Sequence, residues 1–141
     1  MEKNIYPTQD FLIESISAGN LYFGLIENEI ASCMIINNQF NESYKKFSGW
    51  KVNAATEKIL VIHALGVSKK FSVKGIAKEM VNYAINFAKL KNYKSMRLDV
   101  LSGNIPAEKL YSGLGFEHLT TIKMFYEDTG WTDYKLFEKV L

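Results

Sequence analysis

The stretch from Ile59 to Ala88 constrains this chain more than any other. It opens with IleLeuValIleHisAlaLeuGlyVal, residues 59–67, which carry no Lys, Arg, Asp or Glu and are rich in Val, Ile and Leu. Such a run reads as a strand buried on both faces. A short basic loop follows, SerLysLysPheSerValLys, and Gly75 then opens a helix. Ile76, Met80, Tyr83, Ala84, Phe87 and Leu90 recur at spacings that place them on one helical face. Strand, basic loop, glycine and helix N-terminus together present backbone N–H groups and a partial positive charge to an anion, most often a phosphate. No GlyLysSer or GlyLysThr ends the loop and no GxGxxG is present, so neither a Walker loop nor a dinucleotide fingerprint applies.

Composition narrows the partners. The net charge is +2, and Arg97 is the one arginine among 17 basic residues, which argues against nucleic acid as a partner. Cys33 is the single cysteine, so no internal disulfide forms. It lies in the apolar run from Ile30 to Ile36, where an inert buried thiol outranks a nucleophile. No apolar stretch approaches the roughly 18 residues of a membrane span, and the N-terminus lacks a signal-peptide pattern. The expectation is a cytoplasmic protein with no membrane partner. His63 and His118 lie far apart without carboxylates at ligand spacing, so no metal site is expected. At 141 residues the chain is expected to be one domain, 1–141.

Taken in order, Tyr6-Pro7-Thr8 precedes a short helix with Phe11, Leu12 and Ile16 on its apolar face, capped by Thr8 and terminated by Gly19. Leu21–Ile26 and Ile30–Ile36 form a hairpin around Glu27-Asn28-Glu29. The polar segment from Asn37 to Lys58, interrupted by Phe40, Tyr44, Phe47 and Trp50, is long enough to be functional or to hold a helical turn. Ser95–Leu101 is a further strand with Met96, Leu98 and Val100 on one face and Arg97 and Asp99 on the other. Pro106 suits the first turn of a short helix through Tyr111, closed by Gly113 and Gly115. Phe116–Tyr126 and Tyr134–Leu141 make a second hairpin around residues 127–131. The pattern is an α/β (α+β) domain on a mixed sheet flanked by helices.

About thirty residues after Gly75 comes Asn104, and then AlaGluLysLeuTyrSerGlyLeuGlyPhe from Ala107 to Phe116. With these in view, the sequence resembles the GNAT family of N-acetyltransferases. Their acetyl-CoA signature is Arg/Gln-x-x-Gly-x-Gly/Ala, followed by a later Asn, a Leu-Tyr helix and Leu-Gly-Phe. The first part here reads Ser72-Val73-Lys74-Gly75-Ile76-Ala77, with serine in the Arg/Gln position; the second part matches throughout. The resemblance implies a GNAT-like mixed central sheet that lacks the family's usual first strand and helix. That departure leaves three explanations open: a short member, a fragment, or an edge covered by a partner chain such as a second copy in a homodimer.

The resemblance also implies functions for individual residues. The strands Ile59–Val67 and Ser95–Leu101 would splay apart, and the pantetheine arm of acetyl-CoA would pair with the backbone of Leu65, Gly66 and Val67. The pyrophosphate would rest on the amides from Val73 to Lys78, a span that includes Lys74, Gly75, Ile76 and Ala77, with Lys70, Lys74 and Lys78 nearby. Ser72 in place of Arg/Gln removes one charged contact. Asn104 would hydrogen-bond the pantetheine arm; a plain helix-approach turn is the other reading. Tyr111 would protonate the departing thiolate; an ordinary tyrosine packed under the Leu110 and Leu114 face is its alternative. The amine acceptor must lose a proton, and Asp99 and His63 are the two candidate bases. Asp99 projects from the splayed strand, and ribosomal-protein N-terminal acetyltransferases of this family carry a glutamate in a similar Leu-Glu-Val. Its alternative is a surface pair with Arg97. His63 is taken to project on the same side as Leu65 and Val67, with a satisfied core histidine as its alternative.

The activity implied is transfer of an acetyl group from acetyl-CoA to a primary amine, direct and within a ternary complex. A non-catalytic acyl-CoA sensor or assembly module is the competing reading. Glu127, Asp128 and Asp133 make the tip of the second hairpin acidic, and Trp131, Tyr126 and Trp50 bring aromatic surfaces, a combination that suits a cationic amine; a plain solvated turn is the other reading.

Overall fold

In the computed structural model, residues 9–71 and 75–141 are described. The chain runs α1 (Gln9–Ser17), β1 (Leu21–Ile26), β2 (Glu29–Asn37), α2 (Ser43–Lys46), β3 (Ile59–Val67), α3 (Ile76–Leu90), β4 (Ser95–Leu101), α4 (Ile105–Gly113), β5 (Glu117–Tyr126) and β6 (Gly130–Val140). Six strands form one mixed sheet in the order β1-β2-β3-β4-β6-β5. The β3–β4 pair is parallel and the other four pairs are antiparallel.

Local chemistry accounts for the boundaries. Gly19 ends α1 at φ 74°, where the Asn20 amide returns to the Ser15 carbonyl at 2.9 Å. The cap expected at Thr8, with Tyr6 and Pro7, lies outside the described residues. Glu27 and Asn28 both take positive φ, 50° and 66°, the turn that suits a two-residue hairpin loop. Glu29 is therefore strand, paired with Ile26, and not part of the turn. The second hairpin is likewise tighter than the spacing suggests. β6 starts at Gly130, and Trp131 pairs with Phe125 inside the ladder.

Two faces of the sheet are covered differently. On one, Leu60, Ile62, Met96, Leu98, Val100 and Phe137 pack under α3 and α4. On the other, Ile59, Val61, Met124, Tyr134 and Leu136 pack around Tyr44 of α2. The sheet-facing stripe of α3 is Ile76, Met80, Val81, Ala84, Ile85 and Ala88, so the expected face is rotated. Tyr83 and Leu90 are 50% and 82% exposed. Tyr83 lies on the flank against the Tyr22 ring, and Leu90 sits in the last turn. Among the described residues, no helix is long and apolar enough to cross a membrane.

Candidate active site

The site begins where β3 and β4 part. They pair at Ile59 with Ser95, Leu60 with Met96 and Val61 with Arg97, and no further. Beyond that point β3 loses its β4 neighbour, and burial on both faces holds only from Ile59 to Ile62. His63, Ala64, Leu65 and Val67 are half-buried and Gly66 is exposed.

A bulge then turns β3 over. Cys33 pairs with Gly66 and Ile35 with His63, which leaves one extra residue on β3, and Ala64 takes φ 49°. A left-handed alanine costs about 1–2 kcal/mol, sustained by the flanking ladder. The consequence is an inversion of side-chain parity. His63 stays on the face of Ile59 and Val61, whereas Leu65 and Val67 join the α3/α4 face. The expectation that His63 shares a side with Leu65 and Val67 is thereby corrected. Alanine gives no left-handed signal in a sequence, so the bulge was not legible there.

On the α3/α4 face lies a cavity of about 410 Å³, lined by Leu65, Val67, Gly75, Ile76, Ala77, Lys78, Asn104 and Tyr111 among others. Gly75 caps α3 at φ 69°, and a Cβ there would meet nothing within 4 Å, so a ligand can approach its backbone closely. The Asn104 side chain caps α4, accepting from the Ala107 amide at 3.3 Å. Lys70 does not line the cavity; its ammonium pairs with both carboxylate oxygens of Glu29 at 3.0 and 2.9 Å. Gly66 lies next to the lining without being part of it. Ser72, Val73 and Lys74 lie outside the described residues. Tyr111 is buried against Phe116 and Phe137. Burial pushes its phenol well above the ordinary range, and the nearby Asp99 charge adds to the shift, so the hydroxyl stays protonated.

On the opposite face, a smaller cavity of about 130 Å³ is lined by Ile62, His63, Ala64, Asp99, Tyr126, Asp128 and Tyr134. The structure thus brings both candidate bases to one place. Asp99 Oδ2 accepts hydrogen bonds from the Tyr44 hydroxyl at 2.6 Å and the Tyr126 hydroxyl at 2.8 Å. Burial raises the Asp99 carboxyl above its usual range, and the two hydroxyls pull it partly back. Arg97 is not its partner. The guanidinium donates to Glu138 Oε2 at 3.0 Å and to the Val52 carbonyl. His63 Nε2 sits 2.8 Å from Asn37 Oδ1 and 2.9 Å from the Gln39 carbonyl. Both are acceptors, so Nε2 carries the proton and Nδ1 is the basic nitrogen. Burial lowers the His63 pKa to about 4, against a weaker upward pull from the Gln39 carbonyl.

The arrangement has the parts for acyl transfer. A protonated phenol stands on one side of a gap in the sheet and a buried carboxylate on the other. The sequence singled out Tyr44 and Tyr126 as aromatics, not as partners of Asp99; nothing in their spacing shows that residues 55 and 27 positions away meet one carboxylate oxygen. Among the described residues, no group of three or more His, Cys, Asp or Glu side chains could hold a metal. A third cavity, about 340 Å³ between β1 and the start of α3, contains Glu79 but no acid–base pair.

Comparison with known proteins bears on the family and the fold. An N-acetylaspartate synthetase from Xenopus tropicalis is 31% identical over 67 residues, 48% of this chain and 25% of that protein. A ribosomal-protein-alanine N-acetyltransferase from Haemophilus ducreyi is 32% identical over 62 residues, 44% of this chain and 43% of that protein. These matches therefore span less than half the length of either relative. Among solved structures, a GNAT family acetyltransferase from Streptococcus agalactiae superposes with a TM-score of 0.79 at 18% identity, covering 99% of this chain and 76% of that one. Another from Elizabethkingia anophelis, with acetyl-CoA bound, gives 0.69 at 20% identity, covering 96% and 85%. At those identities the likeness shows the fold. The family model for the acetyltransferase (GNAT) family matches residues 2–116, so the chain belongs to the GNAT family of acetyltransferases.

Proposed function

We propose that the chain moves an acetyl group from acetyl-CoA to a primary amine by direct attack in a ternary complex. The observation that carries this reading is the gap between β3 and β4, with the Tyr111 cavity on one face and the Asp99 cavity on the other. The donor side fits a thioester with a long polar arm. β3 offers backbone unpaired on its β4 side, Gly75 admits close approach at a helix N-terminus, and Lys78 and Asn104 line the same cavity. The amine enters from the other face, where Asp99 and Asp128 attract its ammonium form.

In the step itself the amine nitrogen forms a bond to the acyl carbon, and the carbon–sulfur bond breaks. The amine's proton goes to Asp99, and the departing thiolate takes one from Tyr111. Asp99 serves better than His63, because burial raises its carboxyl above the usual range while it lowers the imidazole to about 4. An α-amino group, with a pKa near 8, is neutral about one time in ten at pH 7; a lysine-like amine is neutral about once in a few thousand. The two relatives are named for acetylating aspartate and an alanine of a ribosomal protein. An α-amino acceptor therefore needs only the modest help a carboxylate gives.

Incubation with acetyl-CoA and a panel of amines, read by mass spectrometry for N-acetyl product, tests the reading. Product on α-amino compounds in preference to ε-amino ones is expected. Release of free CoA without acetylation of any amine would remove the acceptor assignment.

A further inference from the structure

This inference rests on the reading of Asp99 as the amine's base. We propose that Tyr44 and Tyr126 are positioning residues for that base: their hydroxyls occupy one carboxylate oxygen, Oδ2, and leave Oδ1 free to take the amine's proton. No described residue donates to Oδ1, and it is not a buried orphan: the buried side-chain atom without a partner among the described residues is Ser32 Oγ, so Oδ1 is left to meet the small cavity. Asp99 receives two short, charge-assisted bonds on one oxygen and lines the small cavity.

The placement of Tyr44 is built, not incidental. Its ring is 2% exposed and packs against Phe40 and Trp50. The Trp50 indole donates to the Tyr44 carbonyl at 2.9 Å, and the Arg97 guanidinium lies 4.2 Å over the Trp50 ring. Glu138 accepts from the Lys51 amide at 2.6 Å, while Arg97 donates to the Val52 carbonyl. The segment between β2 and β3 is thus strapped to the sheet beside β4, with Tyr44 carried over Asp99. This explains why Arg97, two residues from Asp99 on the same face, is spent on the strap. Tyr126 arrives independently from the β5–β6 hairpin.

Among the described residues, the other titratable groups facing Asp99 are His63 of β3, Tyr111 of α4, Tyr134 of β6 and Asp128 of the β5–β6 turn. His63 is neutral through most of the range of interest, and Asp128 shares the small cavity with Asp99. The two hydroxyls favour the charged, proton-accepting form against burial.

Tyr44→Phe, Tyr126→Phe and the double variant of the full chain test the proposal by carboxyl carbon NMR titration of Asp99. Each single variant is expected to raise the midpoint by about one pH unit, and the double variant by more. The acid limb of kcat/KM for acetyl-CoA and an amine from the panel should move up by the same amount, with the rate recovering at higher pH. Unchanged or lowered midpoints, or a kcat/KM that falls equally at every pH, would overturn the proposal. Asp99→Asn is the separate control: wild-type kcat/KM at every pH in that variant would sink the reading of Asp99 as base. The NMR arm needs no substrate, so it decides the part played by the tyrosines on its own. Tyr126, the less buried of the two, keeps the test open if Tyr44→Phe misfolds.

Discussion

Arg97 Nε donates to Glu138 Oε2 at 3.0 Å across the β4–β6 ladder, and both side chains are buried. The Ser95 hydroxyl donates to the same oxygen at 2.7 Å. Such a pair adds little net stability over an apolar replacement, but breaking it strands a charge. Glu138→Gln should therefore cost about 3–5 kcal/mol, measured by urea unfolding, because Arg97 is left buried without its anion. A loss under about 1 kcal/mol would mean that water reaches the guanidinium and that the strap over β4 is loose.

His63 makes stability pH-dependent. Its pKa is about 4 folded against 6.5 for an ordinary histidine. Above pH 6.5 both states hold a neutral ring, and the contribution is fully present. As pH falls toward 4 the unfolded chain binds a proton that the folded one refuses, so stability declines, by up to about 3 kcal/mol. Urea unfolding at pH 7 and pH 4.5, wild type against His63→Gln, should show that extra decline only in the wild type.

Tyr111→Phe separates chemistry from folding. The ring packs against Phe116 and Phe137, while no described residue hydrogen-bonds the hydroxyl. Thermal stability should change little, and kcat should fall by on the order of 10²-fold if the phenol protonates the leaving thiolate. Unchanged turnover would remove that assignment.

Gly75→Ala probes the donor cavity. At φ 69° the added methyl costs about 1–2 kcal/mol in backbone strain, though it meets no atom within 4 Å. The methyl would occupy the approach to the helix N-terminus. KM for acetyl-CoA is expected to rise with kcat largely kept, and equal KM values would place the phosphates elsewhere.

Much of this arrangement could be read from residue order. The strand at Ile59–Val67, the start of α3 after Gly75 and the helix that carries Tyr111 fall where the spacing put them, because each is local in sequence. What escaped was non-local or conformational. The left-handed turn at Ala64 inverts the side on which His63 lies, yet alanine carries no mark of it. The α3 stripe runs through Val81 and Ile85 because the sheet, not the helix alone, selects the buried face. Arg97 and Asp99 look like a pair by spacing, but Glu138 and Tyr44, remote in sequence, claim them separately.

The most direct measurement is a crystal structure of the full chain with coenzyme A. The account predicts the pantetheine arm running beside Leu65–Val67, the thiol near Tyr111 and the phosphates at Gly75 and the N-terminus of α3. Electron density for the ligand at another surface, with β3 and β4 closed along their length, would contradict it.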